Sequence, residues 1–308
     1  MTQTYNAPFV ELERLTKTFG TRKAVEDFTL TIQRGDCIGL IGPNGAGKTT
    51  LLKMVSGILQ ASRGSVSING KRIEQQRALI GYLPQYPQFH DWMTAEEVLS
   101  FYGQLSGGKK MALQARVQEV LGTVGLAESG KRKVGGFSGG MKQRLGIAQA
   151  IIHRPEFVIL DEPVSALDPI GRREVLDLIG GIKQSATVIF STHILGDAQE
   201  ICNRFCIMRM GQKLEDFYYS DWTKSKQTNA LFIECRLVNQ AWINHVQKMA
   251  RVYVRDNAVQ LEALEPDEAW VRRILSSLLE YNVEFSKIEA GKLSLEDYFI
   301  QLVGGKDE

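Results

Sequence analysis

An α/β domain with a mostly parallel central sheet, followed by a small α+β domain, is the architecture this sequence predicts. Three observations carry that expectation. The apolar runs "DCIGLIG" (36–42), "FVILDE" (157–162) and "ATVIFSTH" (186–193) read as strands buried on both faces, two of them followed at once by helical patterns. The glycine-rich stretch "GPNGAGKTT" (42–50) leaves the first of these strands and opens a helix. After about residue 215 the pattern changes to strand–helix–strand–strand–helix–strand, the order of a split-βαβ unit.

The elements follow in order. "FVELERLTKTF" (9–19) and "AVEDFTLTIQ" (24–33) alternate apolar and polar residues, which predicts two half-buried antiparallel strands. "KTTLLKMVSGIL" (48–59) predicts a helix, and "GSVSING" (64–70) a strand ending in an Asn-Gly turn. Residues 94–150 read as helical throughout, opened by a capping box in which Thr94 and Glu97 each satisfy the other's free backbone donor. These elements define a first domain, residues 1–215, with the helical part as a subdomain at about 94–150.

Residues 216–308 form the second. "ALFIECRLV", "RVYVRDN", "AVQLEAL" and "NVEFSKIEAG" are its strands, "QAWINHVQKMA" and "DEAWVRRILSSLLE" its helices, and "SLEDYFIQLVGG" a last helix. No catalytic constellation occurs there, so a structural or regulatory appendage is expected.

Composition narrows the function classes. A net charge of +2 in 308 residues, with no basic tail, predicts no nucleic-acid partner. Four cysteines (Cys37, Cys202, Cys206, Cys235) are too few and too irregular for a disulfide framework and suit packing in a reducing cytosol. The N-terminus lacks the charged lead and apolar stretch of a signal peptide. No run approaches the roughly 20 apolar residues needed to cross a bilayer, so any work at a membrane requires another chain to span it.

The chemistry is concentrated in two places. In the loop Gly42, Pro43, Asn44, Gly45, Ala46, Gly47, Lys48, Thr49, Thr50, glycines let backbone N–H groups curl around phosphate at a helix N-terminus. Lys48 supplies charge for the β- and γ-phosphates, and the Thr49 hydroxyl suits Mg²⁺. A dinucleotide fingerprint fails, because Thr50 stands where its last glycine is required. The second place is the end of "FVILDEP" (157–163), where Asp161 can hold Mg²⁺ and Glu162 can polarise an attacking water. Downstream, "SALDPIGR" (165–172) offers Asp168 as a helix N-cap with Pro169 at the first helical position; a subunit contact is the other role open to Asp168.

These stretches, with "GYLPQ" (81–85), "FSGGMKQR" (137–144) and "STH" (191–193), occur in the order found in ATP-binding subunits of ABC transporters, which residues 9 to about 215 resemble. The resemblance also separates two Ser-Gly-Gly copies. In the family the signature Ser-Gly-Gly opens a helix that runs into the acidic strand. Ser138-Gly139-Gly140 does so, with Phe137 and Met141 in place of the commoner Leu and Gln; Ser106, in "LSGGKK", reads as a solvated break between helices.

By resemblance, Phe19 stacks on adenine, where the family usually has Tyr. Gln85 senses Mg²⁺ and the γ-phosphate, His193 contacts the γ-phosphate, and the subunit works as a head-to-tail dimer with a copy of itself or a homologous ATPase subunit. ATP and Mg²⁺ are then the ligands. A separate membrane-spanning permease is the partner, and the location is the cytoplasmic face of the cell membrane. The loop "QYPQFHDWM" (85–93) places Tyr86, Phe89, Trp92 and Met93 beside Gln85, either as cover for the domain's own core or as a patch on which the permease docks. The second domain resembles, more weakly, the extension of bacterial exporter subunits of the antibiotic-resistance and sodium-efflux type. A soluble ABC ATPase acting on a non-transport partner is the alternative.

Overall fold

A computed structural model of the chain describes residues 7–107, 110–165, 167–225, 230–255, 257–264, 269–291 and 295–304. They divide into two compact units, Met1–Tyr218 and Tyr219–Glu308.

The first unit opens with β1 (Val10–Phe19) and β2 (Arg22–Ile32), antiparallel as their alternation requires. β3 (Cys37–Ile41) is buried along its whole length and leads into α1 (Lys48–Val55). That helix stops short of the expected residue 59. Gly57 takes the left-handed φ of 72°, and the Ile58 N–H reaches back to the Lys53 carbonyl at 3.0 Å, the closure that ends a helix. β4 (Arg63–Ile68) and β5 (Lys71–Arg72) make a hairpin across Asn69-Gly70, both with positive φ, and complete a four-stranded antiparallel sheet in the order β2-β1-β4-β5.

β6 (Ile80–Leu83) precedes the helical region, which is three helices, broken after Leu105 and reopened at Ser138 as expected: α2 (Ala95–Leu105), α3 (Lys110–Thr123) and α4 (Gly139–Ile151). The Thr94–Glu97 capping box forms as expected. Between α3 and α4 the glycine-rich segment allows only two single 3₁₀ turns.

β7 (Phe157–Asp161), α5 (Pro169–Ile182), β8 (Thr187–Thr192), α6 (Leu195–Ile201), β9 (Arg204–Arg209) and β10 (Gln212–Tyr218) complete the unit. The central sheet runs β10-β9-β3-β8-β7-β6, parallel except for the edge strand β10. The core packs between its apolar strands, α1 and the antiparallel sheet.

β10 continues past residue 215 for a physical reason. Arg204 is buried, donates to both carboxylate oxygens of Asp216 (2.7 and 3.0 Å), and also reaches Asp36 at 3.0 Å and the Thr31 carbonyl at 2.8 Å. The Tyr218 hydroxyl donates to Asp36 as well. Burial alone would lower the Arg204 pKa, but the hydrogen bonds and charge of Asp216, with help from Asp36, reverse it and hold the guanidinium charged.

The second unit comprises α7 (Tyr219–Ser225), β11 (Ala230–Cys235), α8 (Gln240–Val246), β12 (Ala250–Arg255), β13 (Ala258–Ala263), α9 (Trp270–Glu280), β14 (Phe285–Gly291) and α10 (Leu295–Gly304). Its antiparallel sheet has the order β12-β13-β11-β14, so the first and third strands are central, the split-βαβ arrangement. Trp242 and Trp270 anchor its own core with Leu231, Ile233, Val259 and Leu261.

Candidate functional site

Parallel strands point their carboxyl ends at one edge of the sheet, and the chemistry lies there. Ile41 pairs with Thr192 and Asp161 with Ser191, so the turn after β3, the end of β7 and the end of β8 are neighbours. The glycine-rich turn is built as its sequence demands. A Cβ on Gly42 would lie 2.2 Å from the Met208 carbonyl oxygen. Gly47, at φ 104°, would place one 2.4 Å from that of Ala24.

Lys48 is 6% exposed, and its ammonium is caged by oxygens: the Gly42 carbonyl at 2.7 Å, the Pro43 carbonyl at 3.3 Å and Glu162 Oε1 at 3.3 Å. The other Glu162 oxygen accepts a hydrogen bond from His193 Nδ1 at 2.9 Å. Because an ionised carboxylate only accepts, that ring nitrogen carries the proton. Glu162 itself adopts a left-handed backbone (φ 47°), held by its N–H donating to Ser191 Oγ at 2.8 Å. Backbone strain in a non-glycine residue at a strand end is a mark of functional sites.

The Ser191 hydroxyl in turn donates to Asp161 Oδ1 at 2.8 Å, and Thr49 Oγ1 donates to the same oxygen at 3.2 Å. Asp161 is fully buried, and Oδ2 has no partner among the described residues. Burial pushes its carboxyl above the usual carboxylate range, against the opposing pull of the Ser191 and Thr49 hydrogen bonds. Asp161 Oδ1 and the Thr49 hydroxyl beside it make a hard-oxygen donor set suited to a divalent cation.

A cleft of about 730 Å³ opens over this cluster, lined by Phe19, Asn44, Gly45, Gly47, Lys48, Thr49, Thr50, Gln85 and Glu162. Phe19 is 51% exposed, with the Lys17 ammonium 5.2 Å from its ring centroid. Ser138, Gly139, Gly140 and Asp168 are not among its lining. Ser138 is an exposed N-cap of α4, accepting from the Met141 N–H at 3.3 Å, and Asp168 caps α5 through the Gly171 N–H at 2.9 Å, the first of the two roles open to it. Ser106 instead closes α2, its hydroxyl donating back to the Tyr102 carbonyl at 3.0 Å; Gly108 of that copy and Ala166 lie outside the described residues.

Sequence reasoning missed part of the cleft wall: Arg22, Lys23, Ala24, Met210 and Gly211 also line it. The two-residue turn Met210-Gly211 between β9 and β10 is stitched to the phosphate loop. Its Gly211 N–H donates to the Ala46 carbonyl at 2.8 Å, and its carbonyl accepts from Glu26 at 2.9 Å. Ser191, inside the quoted "STH", was not assigned its role of joining both acids. A polar residue ending an otherwise apolar buried strand was the available signal.

A family model described as "ABC transporter" matches residues 25–165. The ABC transporter ATP-binding protein YxlF of Bacillus subtilis (strain 168) is 39% identical, over 96% of this chain and 99% of its own length. The chain belongs to the ATP-binding subunits of ABC transporters. The bacitracin transport ATP-binding protein BcrA of Bacillus licheniformis is 33% identical over 94% of this chain and 96% of its length. A solved ATP-binding subunit of an ABC transporter, 30% identical, superposes with a TM-score of 0.64 over 70% of this chain and 92% of that one.

This ABC subunit therefore binds and hydrolyses ATP to drive transport through a membrane permease, and proteins of its family dimerise. Among the described residues no helix is long and apolar enough to cross a membrane.

Proposed function

We propose that this subunit powers export through a permease carried on a separate chain, working on the cytoplasmic face of the membrane as one half of a head-to-tail pair. The pair is completed by a second copy or a homologous ATPase subunit. The observation that carries the catalytic reading is the convergence of Lys48, Thr49, Asp161, Glu162 and His193 at one strand-end cluster beneath the cleft.

In this reading the β- and γ-phosphates replace the carbonyls and Glu162 as partners of Lys48. Glu162, released from the ammonium but still hydrogen-bonded to His193, orients the attacking water as general base. Asp161, Thr49 and Gln85 are the residues that would hold Mg²⁺, which neutralises phosphate charge when bound. Phe19, exposed at the cleft mouth, stacks on adenine. Ser138, Gly140 and Asp168 do not line their own chain's cleft, and Gly139 lines only a smaller hollow beside Gln85 and Glu162; in this reading all four complete a partner's site across a dimer.

The exporter reading draws on the bacitracin relative and on the exposed loop after Gln85. Tyr86 and Trp92 are 66% and 67% exposed, whereas Phe89 and Met93 are half-buried. The loop therefore divides its work, two residues covering the domain and two left for a partner. The second unit, residues 216–308 in the sequence-based division, has no ATP chemistry in this scheme and serves as an accessory domain.

The test is Tyr86→Ala with Trp92→Ala, assayed by ATPase activity of the isolated subunit and co-purification with the permease. Burying two largely exposed aromatics is worth about 2–4 kcal/mol, so association should weaken by roughly 30- to 1,000-fold while hydrolysis persists. Undiminished association would end the docking idea.

A further inference from the structure

Asp161 Oδ2 is not the only buried polar atom at this site without a partner among the described residues; the Tyr82 hydroxyl is another. Tyr82 lies on β6 and pairs with Ile159 in the parallel ladder to β7. Residues two apart on a strand share a face, so Tyr82, Ile159 and Asp161 all project to the side on which α1 packs, where the Tyr82 ring is seated against the core. A donor and an acceptor thus stand on one face of adjacent strands, one row apart. Each left unsatisfied keeps its full desolvation penalty, and native proteins seldom leave two together.

The separation brackets the arrangement. The two atoms are beyond direct hydrogen-bonding reach, since neither has a partner. They are near enough that the Asp161 charge, after burial itself, helps to raise the Tyr82 pKa. One water accepting from the phenol and donating to Oδ2 would satisfy both.

We propose that Tyr82 is a positioning residue for metal binding: through one bound water its hydroxyl fixes the second carboxylate oxygen of Asp161. This rests on the reading of Asp161 as a magnesium-holding residue. Outer-sphere partners of metal-holding carboxylates orient them, and losing one typically costs 10- to 100-fold in metal affinity.

The experiment compares full-length wild type, Tyr82→Phe and Asp161→Asn by calorimetric titration of ADP in excess magnesium and again in EDTA, with thermal midpoints in parallel. For Tyr82→Phe the magnesium-dependent gain in ADP affinity should fall by about 10-fold, metal-free ADP affinity should stay unchanged, and the midpoint should fall. A retained gain in Tyr82→Phe, or a raised midpoint from deleting an idle buried hydroxyl, overturns the proposal while a lost gain in Asp161→Asn leaves the metal assignment standing. Full gain in Asp161→Asn overturns that assignment and the Tyr82 role together.

Discussion

Replacing Glu162 by Gln separates the two jobs the structure gives this side chain. The carboxylate is nearly buried, 3.3 Å from the Lys48 ammonium and 2.9 Å from His193 Nδ1. At an effective dielectric of 20, the gross attraction to Lys48 is about 5 kcal/mol, much of it offset by desolvation. An amide of the same shape keeps one acceptor for His193 but carries no charge. Lys48 retains the Gly42 and Pro43 carbonyls, and arriving phosphates give it back an anionic partner. ATP binding should therefore be preserved or tightened, since a carboxylate that competed for Lys48 and repelled the γ-phosphate is gone. Hydrolysis loses its base, so turnover should fall at least ~10²-fold, a barrier increase of about 2.7 kcal/mol or more. The assay pairs single-turnover hydrolysis with a nucleotide-binding titration and thermal midpoints with and without MgATP. The free variant should melt below wild type and recover more on adding nucleotide. Near-normal hydrolysis would refute the base assignment, and lost ATP binding would show that the carboxylate holds nucleotide rather than water.

The two Ser-Gly-Gly copies give a matched pair: Ser138→Arg should abolish ATP-driven dimerisation by size-exclusion chromatography, whereas Ser106→Arg, at the exposed end of α2, should leave it intact. Equal damage from both would reverse the choice between them. A truncation after Tyr218 should still bind ATP, whereas one after residue 215 strips Asp216 from buried Arg204 and the Tyr218 hydroxyl from Asp36 and should cost about 3–5 kcal/mol; equal midpoints for the two would contradict that network. Burial, aided by Arg116, lowers the His153 pKa below 6.5 despite the Ile80 carbonyl contact. The unfolded chain therefore takes up the proton first, and stability should decline as pH drops below about 6.5. His153→Gln should flatten that decline in thermal midpoints measured across the range, and an unchanged slope would exclude this histidine as its source.

Local signals decided what could be read from the sequence. The phosphate loop, the acidic strand end and the Thr94–Glu97 cap depend on residues adjacent in the chain, so their chemistry is written in short stretches. The same holds for the split-βαβ order of the second unit, where strand and helix periodicities alternate cleanly. β9 and β10 were not anticipated, although "RFCIMRM" is apolar enough for a strand. β9's partner lies far away, since it pairs with β3, and Arg204 finds Asp36 and Thr31 across more than 160 residues; β10 is a local hairpin partner of β9 and follows from it. The α1 boundary failed for the opposite reason, since a single glycine overrode the apolar periodicity that continues through Ile58 and Leu59.

The site shows the same division. Lys48, Asp161 and Glu162 were legible one by one, but the hydroxyl that binds the two acids together was not. Ser191 lies 29 residues from Glu162 and 30 from Asp161 and reaches both only because β8 is the neighbour of β7. Strand order, which short sequence patterns do not encode, therefore sets the geometry of this acidic pair. A substitution at Ser191 should disturb metal and water positioning at once, whereas one at Thr49 acts on the metal side alone.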